Sequence, residues 1–325
     1  MFTALLFLIS TGLSWIVVGA AVGLIGRRGL NLLYYQILYA FCGIIMSVAL
    51  AVYDPSKLIP PAGISTSTWC WTLIGSFSNG FFNYLMIRLM GTAMKRGPNA
   101  IVWATIQSGF IYPFLMGWLI FGVPMNACRI TGIILIVTSI FLYAARGKAR
   151  SAQNVTGAQQ RATDSSEPVA AWLIPSLLGM LCCGINQCGA NLASYLPRGQ
   201  EFPSAFRNLV SIFGALVGCS LGLAWQHIEG TRLRRPTWRD LRTTAIFAAA
   251  VMSVSFTSNV FLMYPGLDIL ESLGRGPMGY PIMVCSCVIG FFPYGIFVLK
   301  ERINPIQALG VVVGIVGIVL VSTPA

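Results

Sequence analysis

Amide side chains stand in this chain where a greasy sequence would otherwise place apolar ones. Asn79 and Asn83 are four residues apart, hence on one face of a helix, within a run rich in Phe, Leu, Met and Gly. Gln107 lies in the next apolar run, one turn before Tyr112-Pro113. In the second half, Gln187 and Asn191 repeat the four-residue spacing beside Asn186, and Asn259 ends the group Ser255, Thr257, Ser258. Amides and hydroxyls donate and accept hydrogen bonds without fixed charge, so such a set suits holding a neutral or zwitterionic polar solute. Trp15, Trp103, Tyr112 and Tyr280 add apolar faces on which a sugar ring can lie. One Asn in lipid more commonly bonds across helices; two on one face, with Gln107 near and Asn259 repeating them, favour a cavity.

The acids bear on coupling. None of the nine Asp and Glu falls deep in an apolar run, and none precedes Asp54, which disfavours cation exchange built on a first-span glutamate. Asp268 and Glu271, with Arg275, sit where one run gives way to the next and are the candidates for a proton or ion site. A solvated local ion pair is the equal alternative. Arg88, near the end of its run, either snorkels to the surface or reaches an anionic ligand. The sequence offers no phosphate-cradling Gly-rich loop, nucleophile triad or metal-ligand spacing, so neither enzyme activity nor a cofactor is expected. The one histidine, His227, reads as an interfacial residue, and the nine cysteines as packing residues rather than a disulfide framework.

These residues need apolar helices to carry them. Of the 325 residues 56% are hydrophobic and 9% charged, against about 25% charged in a soluble domain, and mean hydropathy is +0.76. A helix crosses the hydrocarbon core in about 20 residues. Ten such runs occur, at 3–24, 32–53, 69–89, 98–121, 127–145, 172–194, 207–226, 243–264, 277–299 and 306–323. The first starts at the N-terminus without a basic leader or cleavage signal and reads as a retained span. The polar stretch 146–168 is the one linker-like segment, and it separates 1–145 from 169–325 with five runs each.

Loop charge orients the runs. The +12 net charge would suggest a nucleic-acid partner in a soluble protein, but here Lys and Arg cluster at the ends of runs 1, 3, 5, 7 and 9. Of the 21 basic residues, only Lys57, Arg129, Arg198, Arg207 and Arg275 fall on the other side. Basic loops face the cytoplasm, so both termini are expected outside it. Five runs per half turn the second half upside down relative to the first. Motif order repeats as expected of such a pair: Asn79, Arg96-Gly97-Pro98 and Tyr112-Pro113 in one half, Asn259, Arg275-Gly276-Pro277 and Tyr280-Pro281 in the other. The turns differ in charge, Lys95 and Arg96 against Asp268 and Glu271. The expected fold is therefore an all-α membrane protein of ten transmembrane helices arranged as a five-plus-five inverted repeat.

The layout and the ending Leu299-Lys300-Glu301-Arg302, Gln307-Ala308-Leu309-Gly310, Gly314 and Gly317 resemble the drug/metabolite transporter superfamily of the ten-helix, EamA-like kind. Within it, Asn83-Tyr84, Met86 and Arg88-Leu89-Met90-Gly91-Thr92-Ala93-Met94 resemble the third-span segment of rhamnose–proton symporters. The resemblance implies a carrier with alternating access in a bacterial inner membrane and a polar cavity between halves. The expected function is secondary transport of a small polar metabolite, with proton-coupled sugar uptake the leading form. Export of amino acids or amphipathic drugs is the alternative, and a non-transporting scaffold a third. The expected substrate contacts are Trp15, Asn79, Asn83, Trp103, Gln107, Gln187, Asn191, Asn259 and Tyr280, with Asp268 and Glu271 for ion coupling; the partners are a small solute, protons and the bilayer, not nucleic acid.

Overall fold

The structure, a computed structural model, describes residues 1–96, 99–144, 170–195, 202–228, 237–297, 305–321 and 323. Gly97 and Pro98, the 146–168 linker, Lys300-Glu301-Arg302 and the His227 side chain lie outside the described residues. Among the described residues every regular element is helical: α1 Phe2–Arg27, α2 Leu32–Tyr53, α3 Thr66–Met94, α4 Asn99–Gln107, α5 Ile111–Leu119, α6 Ala127–Ala144, α7 Ala170–Leu192, α8 Ser204–Ile228, α9 Trp238–Ser258, α10 Tyr264–Ser272, α11 Gly279–Phe297 and α12 Pro305–Val321. Among the described residues five helical segments are long and apolar enough to cross a membrane: Phe2–Ile25, Leu32–Tyr53, Ala170–Tyr195, Ser204–Ala224 and Trp238–Ser272. In lipid a backbone must satisfy its own polar groups, and a sequence this apolar does so as helices.

Local chemistry sets the helix ends. Gly29, at φ 64°, terminates α1 in a conformation other residues disfavour. Asn31 then caps α2 by accepting from the Leu33 N–H at 2.9 Å, and Ser65 caps α3 through the Thr68 N–H at 3.2 Å. At α9, Thr237 and Asp240 form a reciprocal capping box.

Two helices are interrupted beside the polar residues. Between α4 and α5 the residues Ser108–Phe110 tighten into a 3-10 turn, just ahead of Pro113, which has no N–H to continue the ladder. Gly109 lies at this bend against α7, where a Cβ would sit 2.7 Å from the Met180 carbonyl. Between α9 and α10 the residues Asn259–Met263 form a π-helical turn.

This π turn moves two residues from where the sequence placed them. The run 243–264 was expected to stop and leave Asp268 and Glu271 on a turn; instead one helical path continues from Trp238 to Ser272. The physical reason is Pro265. It falls in the first turn of α10, where a missing N–H breaks no bond, and the Tyr264 N–H reaches back to the Asn259 carbonyl. Asp268 is therefore held within a helix, and the chain turns only at Leu273–Arg275.

Packing brings the two ends of the chain together. α3 lies along α7 and α8; α2 lies along α8 and α9; α1 lies along α9, α10 and α11; α4 and α5 meet α7; and α6 pairs with α12. Glycines set the closest approaches. A Cβ on Gly80 of α3 would sit 1.6 Å from the Ser211 carbonyl oxygen of α8. Gly75 and Gly189 similarly let α3 and α7 touch backbone to backbone. The largest apolar cluster joins α1, α5, α10 and α11 around Leu8, Phe114, Leu267 and Met283.

Candidate functional site

The interrupted helices flank a central cavity of about 120 Å³, several times what one water requires. Among the sequence-expected contacts, Trp15, Asn79, Asn83, Trp103, Gln107, Gln187, Asn259 and Tyr280 line it. No charged side chain lines it among the described residues. The walls come from α1, α2, α3, α4, α7, α8, α9 and α11, so residues up to 265 positions apart in sequence meet here.

Asn191 is the exception among the expected contacts. It is buried, but it lies beyond the cavity, with its Nδ2 donating to the Tyr195 hydroxyl at 3.4 Å. Sharing a helix face with Gln187 was not enough, because α7 runs past the cavity and Asn191 is one turn too far along. Tyr112 packs instead against Gly184 of α7. Thr257 points away and is exposed, whereas Ser258 accepts a 2.8 Å bond from the Ser14 hydroxyl.

The wall amides divide into those used by the protein and those left open. The Asn79 Nδ2 donates to the Asn186 carbonyl at 3.2 Å and to its Oδ1 at 2.5 Å, and the Asn79 Oδ1 accepts from the Ser211 hydroxyl at 2.5 Å. Asn186 in turn donates to the Asn83 Oδ1 at 3.2 Å. This chain ties α3, α7 and α8 together, so Asn79 is a cross-helix tie that also borders the cavity. Replacing it with Ala is expected to destabilise the fold by about 1–3 kcal/mol, since membrane hydrogen bonds contribute roughly 0.6 and at most about 1.7 kcal/mol each. Thermal unfolding of purified Asn79→Ala checks this, and an unchanged midpoint would contradict it.

Other polar atoms are buried and unpartnered among the described residues. Gln107 and Gln187 are 4% and 3% exposed, and the Oε1 of each lacks a donor. The Asn208 Nδ2 lacks an acceptor, while its Oδ1 accepts from the Asn259 Nδ2 at 3.3 Å. Leaving such groups unsatisfied costs about 1–3 kcal/mol apiece. The aromatic lining is unequal. Trp103 is sandwiched between Gly19 and Phe291, with ring centroids 5.8 Å apart, and Tyr280 is buried behind Trp15 at 6.3 Å. Trp15 is only half-buried and carries the more open ring face.

Asp268 pairs with Arg207, one residue before Asn208. The guanidinium grips the carboxylate with two bonds, Nη1 to Oδ1 at 3.1 Å and Nη2 to Oδ2 at 2.6 Å. Its centre lies 4.4 Å over the Tyr264 ring, and the Ser194 hydroxyl donates to Oδ1 at 2.8 Å. Glu271 approaches the Tyr195 side of the same region, where a Cβ on Gly276 would collide with its carboxylate. Arg207, Asn208 and Ser211 escaped the sequence reading, which treated Arg207 only as loop charge. The available signal was Asn208 and Ser211 at a three-residue helical spacing directly after a basic residue in an apolar run.

No family model and no curated protein sequence matches the chain. A solved structure titled only "Crystal structure of protein" has a similar fold, with a TM-score of 0.60 at 12% identity, covering 99% of this chain and 97% of that one.

Proposed function

We propose that the chain is a ten-helix secondary transporter built as a five-plus-five inverted repeat, 1–145 and 169–325. It carries a small neutral polar solute by alternating access, with proton-coupled sugar uptake as its reaction. The single observation that carries this reading is the charge-free cavity walled by Gln107, Gln187 and Asn208, each of which keeps a buried polar atom without a partner among the described residues. A polyol suits such side chains, because each hydroxyl donates one bond and accepts others. A zwitterion would bring two charges to a wall that offers neither counter-charge.

The pairing of helices supports the repeat. α1 packs on α9, α10 and α11 as α7 packs on α3, α4 and α5; α2 meets α9 as α8 meets α3; and α6 meets α12. Exchanging the halves maps these contacts onto one another and the α6–α12 contact onto itself, as an inverted repeat requires. The two interrupted helices, α4–α5 and α9–α10, both flank the cavity, where transporters place broken helices around their substrates. With the basic loops in the cytoplasm of a bacterial cell, both termini lie outside. Asp268 and Glu271 are the acids assigned to coupling: Asp268 holds Arg207, which adjoins the cavity-wall residue Asn208.

Proteoliposomes containing the purified protein test the proposal. Uptake or counterflow of a monosaccharide, stimulated by an inward proton gradient, is the expected result. Gln107→Ala and Gln187→Ala are each expected to raise the half-saturating concentration about tenfold, the equivalent of about 1.4 kcal/mol of lost hydrogen bonding. Absence of movement for every monosaccharide tried, alongside transport of amino acids, would overturn the sugar assignment.

A further inference from the structure

A second cleft, of about 350 Å³, opens where the ends of α3 and α8 meet the starts of α2 and α9. Arg88 lines it from α3 and Lys95 from the cap just past its end, two turns on along the same face, with Gly91 and Thr92 between them. Arg88 does not snorkel outward. Gly222 of α8 leaves room for it, since a Cβ there would sit 3.2 Å from Arg88 Nη1, and that nitrogen donates to the Tyr84 hydroxyl at 3.2 Å. A neutral phenol thus holds the guanidinium inward, and among the described residues no carboxylate pairs with it.

The remaining lining adds positive potential. The first turn of α2, Leu32 to Tyr34, faces the cleft with a 22-residue helix behind it, capped only by the neutral Asn31. Asp240, the acid in the lining, turns its Oδ2 to the Thr237 N–H in the α9 capping box. One acceptor is left over: the buried Gln226 Oε1 has no donor among the described residues.

We propose that this cleft binds a phosphate group. Guanidinium, ammonium and a helix N-terminus approach from different directions, which suits a tetrahedral oxyanion better than a planar carboxylate. A protonated phosphate oxygen, or a hydroxyl or ammonium on the same molecule, supplies the donor Gln226 needs. The cleft lies on the face that carries the basic loops, so the group comes either from free phosphate or from an anionic lipid headgroup.

Thermal unfolding of the full-length protein tests the site in two arms at fixed ionic strength. One titrates inorganic phosphate against chloride in neutral detergent; the other compares nanodiscs of phosphatidylcholine with nanodiscs containing phosphatidylglycerol. Saturable stabilisation by phosphate alone identifies the free anion. Stabilisation by phosphatidylglycerol, with or without a phosphate response, identifies the headgroup. The Arg88→Gln/Lys95→Gln protein should bind at least about tenfold more weakly, as expected when a charge-assisted contact is removed. Lys95→Gln alone, at an exposed position, guards against misfolding of the double variant, and Arg88→Lys should retain part of the response. Gln187→Ala, altered only in the central cavity, should keep the whole of it, which separates this site from the transport reading. No stabilisation in either arm, or stabilisation undiminished in the double variant, would overturn the proposal.

Discussion

Asp268→Ala is expected to destabilise the protein by about 3–5 kcal/mol, the usual consequence of stranding one member of a buried ion pair. Arg207 is 2% exposed and gives both terminal nitrogens to Asp268, so removing the carboxylate leaves a buried cation over the Tyr264 ring without its anion. The pair as a whole has a different energetics, because Arg207 was fully desolvated to form it while Asp268 remains 29% exposed. Replacing both, as Arg207→Met/Asp268→Leu, is therefore expected to recover most of the loss. Midpoints of thermal unfolding for the two single variants and the double variant decide the matter. If Asp268→Ala unfolds at the parental midpoint, the pair is not structural in the way its geometry indicates. Transport separates the second role: the double variant should fold but lose dependence on the proton gradient.

Gly80→Val is expected to be the most damaging substitution among the described glycines. Even a single Cβ would lie 1.6 Å from the Ser211 carbonyl oxygen and 2.5 Å from its carbon, and backbone cannot rotate aside as a side chain can. α3 and α8 must separate, which also pulls apart the 2.5 Å bond between Ser211 and Asn79. Overpacking typically costs about 1–3 kcal/mol; lost hydrogen bonding at the same interface adds to it. Gly63, at φ 83° with open space around it, is the contrasting position. There Gly63→Ala is strained only by backbone conformation and should leave the cavity unaffected. Solute affinity measured on both proteins checks the contrast, and equal effects would contradict it.

The amides show how far a sequence reading reaches. Helical spacing put Asn79 with Asn83 and Gln187 with Asn191 correctly on shared faces, because the 3.6-residue period is a local property. It did not say which neighbour each face meets. Asn79 turned out to be engaged three times by Asn186 and Ser211, and Asn191 sits past the cavity beside Tyr195. Beside Tyr112-Pro113 the helix is interrupted at Ser108–Phe110. The end expected at 264 did not occur, since a π turn accommodates Pro265 and carries the helix on to Asp268.

What the sequence determined by itself is the class of the protein and its inventory: apolar runs that fold as helices because backbone groups in an apolar setting must pair locally, and amides rather than acids along them. Capping residues such as Asn31 and Thr237 were likewise local. The tertiary structure alone decided that Arg207 meets Asp268 across 61 positions, that Asn208 and Gln107 open into one cavity, and that Arg88 turns inward at Gly222. Those outcomes depend on which helices pack together and how closely. That choice is made by glycines and side-chain shapes distant in the chain, acting jointly, and no local window of sequence contains it.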